Sequence, residues 1–161
     1  MKEKKYKLID ERINHWGRML YRIEALRDFS DVKKGDKGGF VESEDNLSHD
    51  GDCWIFDDAK VFDTARISEN AWVNGRVRVF GDSFVYGNAV IYGDVDIRGK
   101  SEVYGNARIY NNVIIQDYAK VYGDVSISDN VRVYGKAQVC GNVVLYGSTV
   151  IGGNAIVKEN S

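Results

Sequence analysis

Across residues 47–160, apolar and polar positions follow a six-residue cycle that gives nineteen hexads with no insertion or deletion. The first slot is small or aliphatic, as in Ala59, Ala65, Ala71 and Ser83. The third is Ile, Val or Leu in every hexad except the first, where it is His49. Slot five is usually Gly or Asp and slot six often Asn or Asp; Ser83-Phe84-Val85-Tyr86-Gly87-Asn88 is a typical unit. Slots one to four alternate inward and outward, the period of a strand. β-Branched residues at slot three suit a buried pleated surface. Gly, Asn and Asp at slots five and six accept positive φ at low cost and so mark a sharp bend.

Four-residue strands joined by two-residue corners cannot form hairpins with one buried face, but they can wind. Three hexads close a triangular coil, and each coil pairs with the next through parallel strands, so all inward slots share one core. About six coils at ~4.8 Å each give a prism roughly 30 Å long. The predicted fold class is all-β: a three-sided solenoid over 41–161 with a small β cap over 1–40. The absence of Pro fits a stack in which every N–H is needed.

Residues 1–40 fall outside the cycle. Residues 6–9 read as a strand, 10–17 as a connection and 19–25 as a second strand. The apolar positions of 18–29 also fit one face of a short helix, and a hairpin is the preferred reading. A solenoid end exposes core and unpaired backbone. The segment is therefore expected to cover that end, with Leu8, Ile9, Trp16, Leu20 and Ile23 beneath Leu47 and Ile55.

The pattern Ile/Val/Leu-x-Gly-Asn/Asp-Ala/Ser/Val-x resembles the hexapeptide repeat of left-handed parallel β-helix proteins. Val85-Tyr86-Gly87-Asn88-Ala89-Val90 and Val103-Tyr104-Gly105-Asn106-Ala107-Arg108 match it directly. The resemblance covers about 70% of the chain, and it implies a single-stranded left-handed parallel β-helix. The Tyr-Gly-Asn-rich form, with the leader Leu26-Arg27-Asp28-Phe29 and Gly35-Asp36-Lys37-Gly38-Gly39-Phe40-Val41, is similar to a bacterial and phage subgroup often labelled as transferases. The wider family contains many acyltransferases. By that resemblance, such enzymes form trimers, hold acyl-CoA in the groove between prisms and use a His as base, often beside a long loop that breaks the repeat.

This chain has no such loop in its repeat, and its two His are His15, in the cap, and His49. By phase His49 points inward, as a structural residue would; both are weak catalytic candidates. The preferred reading is a non-catalytic assembly and binding module that self-associates and takes a protein partner or small ligand, with no cofactor. An acyl-CoA-dependent acyltransferase is the alternative. A phage-type counter-defence protein, blocking a host factor or sequestering a nucleotide signal, is a second alternative drawn from the resemblance.

Charge and cysteine usage narrow the choice. Residues 1–40 carry eleven Lys/Arg against seven Asp/Glu, 41–63 carry eight acids and one Lys, and 64–161 carry ten bases and nine acids. No basic stripe runs along the repeat, so nucleic-acid binding is not expected. No stretch is apolar enough to span a membrane or resemble a signal peptide, and a cytoplasmic protein is expected. Cys53 falls in an inward slot and Cys140 in an outward one about five coils away, beyond the ~7 Å reach of a disulfide. Two Cys and two His make a zinc site improbable. The acids Glu42, Glu44, Asp45, Asp50, Asp52, Asp57, Asp58 and Asp63 read as corner chemistry and solvated charge before they read as a calcium site.

Outward slots stack every eighteen residues into columns. Tyr86, Tyr104, Tyr122 and Cys140 form one; Asn70, Asn88, Asn106, Asp124, Asn142 and Asn160 form a corner ladder beside it. Arg78 with Asp96 and Glu102 with Lys120 should pair weakly from coil to coil. The face with Trp54, Trp72, Val90, Tyr92, Tyr110, Val144 and Tyr146 is the candidate interface. Val150 and Ile156 join Val144 as outward aliphatics of the last coil, which suggests end-to-end pairing as an alternative to a trimer.

Overall fold

A computed structural model describes residues 3–159. Three sheets of stacked strands form a solenoid around one continuous core. Strand pairing runs at the predicted eighteen-residue spacing: Val85, Val103 and Val121 are neighbours on one sheet, and all three are fully buried. Each such side chain contributes about 1.5–3 kcal/mol of burial. Corners turn through a residue of positive φ, Gly in most and Asp57, Asp63, Glu69, Asn111, Asp117 or Asp129 in the others. Where that residue is acidic, its carboxylate accepts the N–H of the Gly one coil on. Asp63 takes Gly81 at 2.9 Å, Glu69 takes Gly87 at 2.9 Å and Asp129 takes Gly147 at 3.0 Å. Gly is required at Gly105 twice over: its φ is +70°, and an added Cβ would lie 2.7 Å from the Gly123 nitrogen.

The N-terminal segment is a hairpin. Strand β1 (Tyr6–His15) pairs antiparallel with β2 (Arg18–Ala25), and β2 pairs antiparallel with β3 (Lys37–Val41). The expected connection over 10–17 is instead mostly strand. The chain reverses in two residues, Trp16 and Gly17, both at positive φ, as a tight hairpin requires. Strand β3 then pairs in parallel with Lys60–Val61, so the hairpin widens the first sheet to nine strands. That sheet carries seven parallel rungs, so the rod has about seven turns where six are predicted from the repeat.

The extra turn exposes a break in the cycle. Val41 lies opposite Val61 and Leu47 opposite Ile67, so these two take consecutive third slots. The next inward residue of this class is Ile55, opposite Val73. The corner between Leu47 and Cys53 is therefore two residues longer than the others, and His49 lies in it. Before it, a 3-10 turn at Glu44–Asn46 is held by the buried Asn46 side chain, which accepts from the Glu42 and Ser43 N–H groups and donates to the Asp63 and Ala65 carbonyls.

Closure of the core differs from expectation in its residues. Tyr6, Ile23, Phe29 and Trp54 are buried in the main cluster, with Leu8 packed against it. Leu20 instead joins Phe40 and Phe62 in a separate small cluster outside the first sheet. Trp16 is 60% exposed and lies against Phe62 and Phe80, outside the main core. No helix among the described residues is long and apolar enough to cross a membrane.

Candidate functional site

The structure does not bring the two histidines together. His49 turns away from the core because its corner is expanded, which corrects the inward placement predicted from phase. Its ring stacks on Tyr6 at 4.2 Å. Nδ1 accepts the Lys5 backbone N–H at 3.1 Å, and Nε2 lies 3.0 Å from Glu44 Oε1. An amide can only donate, so the neutral ring carries its proton on Nε2 and gives it to Glu44. Burial would raise the Glu44 carboxyl, but bonds from Lys4 and His49 outweigh it and hold the group below the usual carboxylate range. Both nitrogens of His49 are thus engaged, Nδ1 in docking the cap and Nε2 with Glu44 on the adjoining turn, and neither is free to serve as a base.

His15 ends β1. Its ring stacks on Trp16 at 4.4 Å and meets the edge of Phe62 at 5.4 Å. Burial, then the charges of Lys60 and Arg78, push its pKa down. Its Nε2 is covered and has no hydrogen-bond partner. Beside it runs a groove of about 290 Å³ lined by His15, Lys60, Arg76, Arg78, Asp94 and Asp96. Arg78 grips Asp96 with two bonds of 2.8 and 2.9 Å and lies 5.0 Å over the Trp16 ring. The cations of this groove are largely matched by its own carboxylates.

The aromatic face is partly as predicted. Tyr92 and Tyr110 stack at 5.0 Å, nearly parallel. Tyr92 is 41%, Val144 50% and Tyr146 67% exposed. Val90 edges a shallow groove of about 560 Å³ with Asn88, Asn106, Arg108, Asp124 and Ser126. Trp54 does not belong to the exposed face: it is buried, with Phe29 and Tyr6 against its ring. Trp72 is half-buried and donates Nε1–H to the Asp52 carbonyl at 3.2 Å. On the neighbouring faces Val150 and Ile156 are exposed.

The corner ladder forms over its first four members, up to Asp124, and the strand register is irregular between Val139 and Asn142. Asn70, Asn88, Asn106 and Asp124 are linked in sequence by side-chain bonds of 3.4, 3.3 and 3.0 Å; Asn160 lies outside the described residues. Several acids of the 41–63 cluster serve the backbone or nearby cations: Glu42 accepts the Asp63 N–H at 2.8 Å, and Asp58 meets Arg22 at 3.1 Å. Cys53 and Cys140 are free and buried, although Cys140 occupies an outward slot.

One pair is invisible in the sequence. Lys5 is completely buried, and its Nζ reaches the Cys53 carbonyl at 2.7 Å, the Gly51 carbonyl at 3.3 Å and Cys53 Sγ at 3.3 Å. In a run of lysines at the N-terminus it reads as a solvated charge, and no periodicity marks it.

Comparison with known proteins gives two partial matches. A family model, the YdcK beta solenoid repeat, matches residues 137–153. The Escherichia coli (strain K12) protein named "Uncharacterized acetyltransferase YdcK" is 40% identical over 43 residues. That stretch is 27% of this chain, and the chain spans only 13% of that curated relative. The repeat match, this partial relative and the three-sided stack of parallel strands together fit a hexapeptide-repeat β-helix family.

Proposed function

We propose that this chain is a rigid, non-catalytic scaffold that associates with a second copy of itself through the face carrying Tyr92, Tyr110, Val144 and Tyr146. The observation that carries the reading is the exposure of Tyr92, Val144 and Tyr146 along one sheet of the solenoid. Exposed apolar and aromatic side chains gathered on one face mark interfaces more often than solvated surface, and here Arg108 and Ser126 supply polar groups between them. A stack held by ladders presents this face without an ordering cost on binding. The engagement of both His49 nitrogens weighs against a histidine base there. A left-handed coil and a location in the cytoplasm are part of the same reading.

Light scattering of the wild type and of Tyr146→Asp tests it. The wild type should have the mass of a dimer or larger assembly, and the variant that of one chain. A wild type that stays monomeric at high micromolar concentration contradicts the proposal. Tyr146 is a better probe than Trp72, whose indole also braces the Asp52 corner.

An acyltransferase using acyl-CoA is the second reading. It is favoured by the acetyltransferase-named relative and by the unpartnered Nε2 of His15 beside a groove. An upward thermal shift with acetyl-CoA that His15→Ala abolishes would favour this reading over the first.

A further inference from the structure

We propose that Lys5 and Cys53 form a covalent sulfur–nitrogen link when the chain meets hydrogen peroxide, fastening the cap to the first long corner of the solenoid. The two groups are 48 residues apart in sequence and 3.3 Å apart in space. Both residues are completely buried, and the amine is met by two carbonyls and a sulfur. Burying an ammonium without a carboxylate against it is costly. Burial pushes the Lys5 pKa down and the Cys53 pKa up, so this site opposes the ammonium more than solvent does. An uncharged amine has a lone pair available to attack sulfur.

The chemistry balances in two steps. In the opened cap Cys53 gives its proton to solvent, its thiolate takes one oxygen from peroxide to become a sulfenic acid, and the released hydroxide leaves with that proton as one water. The neutral Lys5 amine then attacks the sulfur through its lone pair. The S–N bond forms as the S–O bond breaks, the departing hydroxide takes one proton from the nitrogen, and a second water leaves. The product is a sulfenamide, Cys–S–NH–Lys, and peroxide is the species reduced. Capture of a sulfenic acid by a neighbouring thiol or nitrogen is its ordinary reversible fate. Here the amine is the nitrogen already in contact. Cys140 is far along the stack, so it does not compete within one chain. Access for peroxide comes through opening of the cap, whose strand pairing to the rod runs through β3 alone and whose other contacts are side-chain bonds such as Tyr6 to Leu47.

The test uses the full chain carrying Cys140→Ser, treated with hydrogen peroxide and read by intact mass and peptide mapping. The expected product is lighter by two hydrogens, holds Lys5 and Cys53 in one linked peptide, and reverts with dithiothreitol. In that product, exchange of the β1 amides should slow about a hundredfold, because the link closes the loop through which the cap opens. Lys5→Arg keeps a donor beside the sulfur but should abolish the link, with Cys53 gaining oxygen instead. Cys53→Ser, of similar size, should show no mass loss. Addition of oxygen to Cys53 without linkage in the Lys5 chain, or a Cys53 that stays reduced, overturns the proposal.

Discussion

Tyr86, Tyr104 and Tyr122 show what a single residue gains from repetition. Their rings lie 4.8 and 4.9 Å apart and within 4° of parallel. Each phenol is therefore shielded by the one a coil away, although the column faces outward. The Tyr86 hydroxyl also donates to Glu102 Oε1 at 3.1 Å. Burial first, then the hydrogen bond and charge of Glu102, push the Tyr86 pKa up to about 12. In the unfolded chain a phenol ionises near ~10. The folded state thus holds this proton more tightly. The associated stability is fully present below about 10 and is lost as pH rises through about 12. An alkaline absorbance titration should show one tyrosine ionising near that higher value, and Glu102→Gln should move it downward. Superimposable titrations of the two proteins would show that Glu102 has no part in the shift.

At the scale of elements, the cap is docked by polar groups that the hydrophobic pattern does not encode. Tyr6 donates its hydroxyl to the Leu47 carbonyl at 2.6 Å and also reaches the Glu44 carbonyl at 2.9 Å, while its ring lies on His49. Tyr6→Phe keeps the ring and strands two carbonyls, so it should cost about 2 kcal/mol in urea denaturation. An unchanged midpoint would place the docking energy in the apolar contacts alone. The repeat itself is plain in the sequence because aliphatic third slots and Gly or Asp corners recur with few departures after Cys53. The lengthened corner at His49 is hidden by parity. A two-residue shift keeps inward positions inward, and Leu47 suits either a first or a third slot. Trp54 is misplaced for a related reason: period tells which way a side chain points, but not that the hairpin will cover it. The Trp16–Gly17 reversal carries no clear sequence mark because Trp is an unusual first residue for a tight turn, where Asn or Asp is the usual signal.

The whole molecule is close to one-dimensional, each coil touching only its neighbours. Its hydrogen bonds also have a direction. The N–H groups of one coil donate to the carbonyls of the next: Arg78 to Val95, Asp96 to Val113, Ile114 to Val131 and Arg132 to Thr149. At the N-terminal end the rod is sealed by Tyr6 and Phe29, both buried. In the last coil the inward residues Leu145, Ile151 and Val157 are only half-covered. The amides of Arg132, Tyr134 and Gln138 depend on that last coil for their acceptors, at Thr149, Ile151 and Ala155. They should exchange with solvent at least about tenfold faster than Arg78 and Phe80, because opening one loosely packed coil costs less than unfolding the stack. The same measurement at two protein concentrations connects the gradient to association. Val144 and Tyr146 lie in the last coil and in the proposed contact face, so a second copy seated there would slow exchange at Arg132 and Gln138 as concentration rises, while Arg78 stays unchanged. Protection equal along the rod at every dilution would mean that the coils open together, and that their stability is not the sum of neighbour contacts.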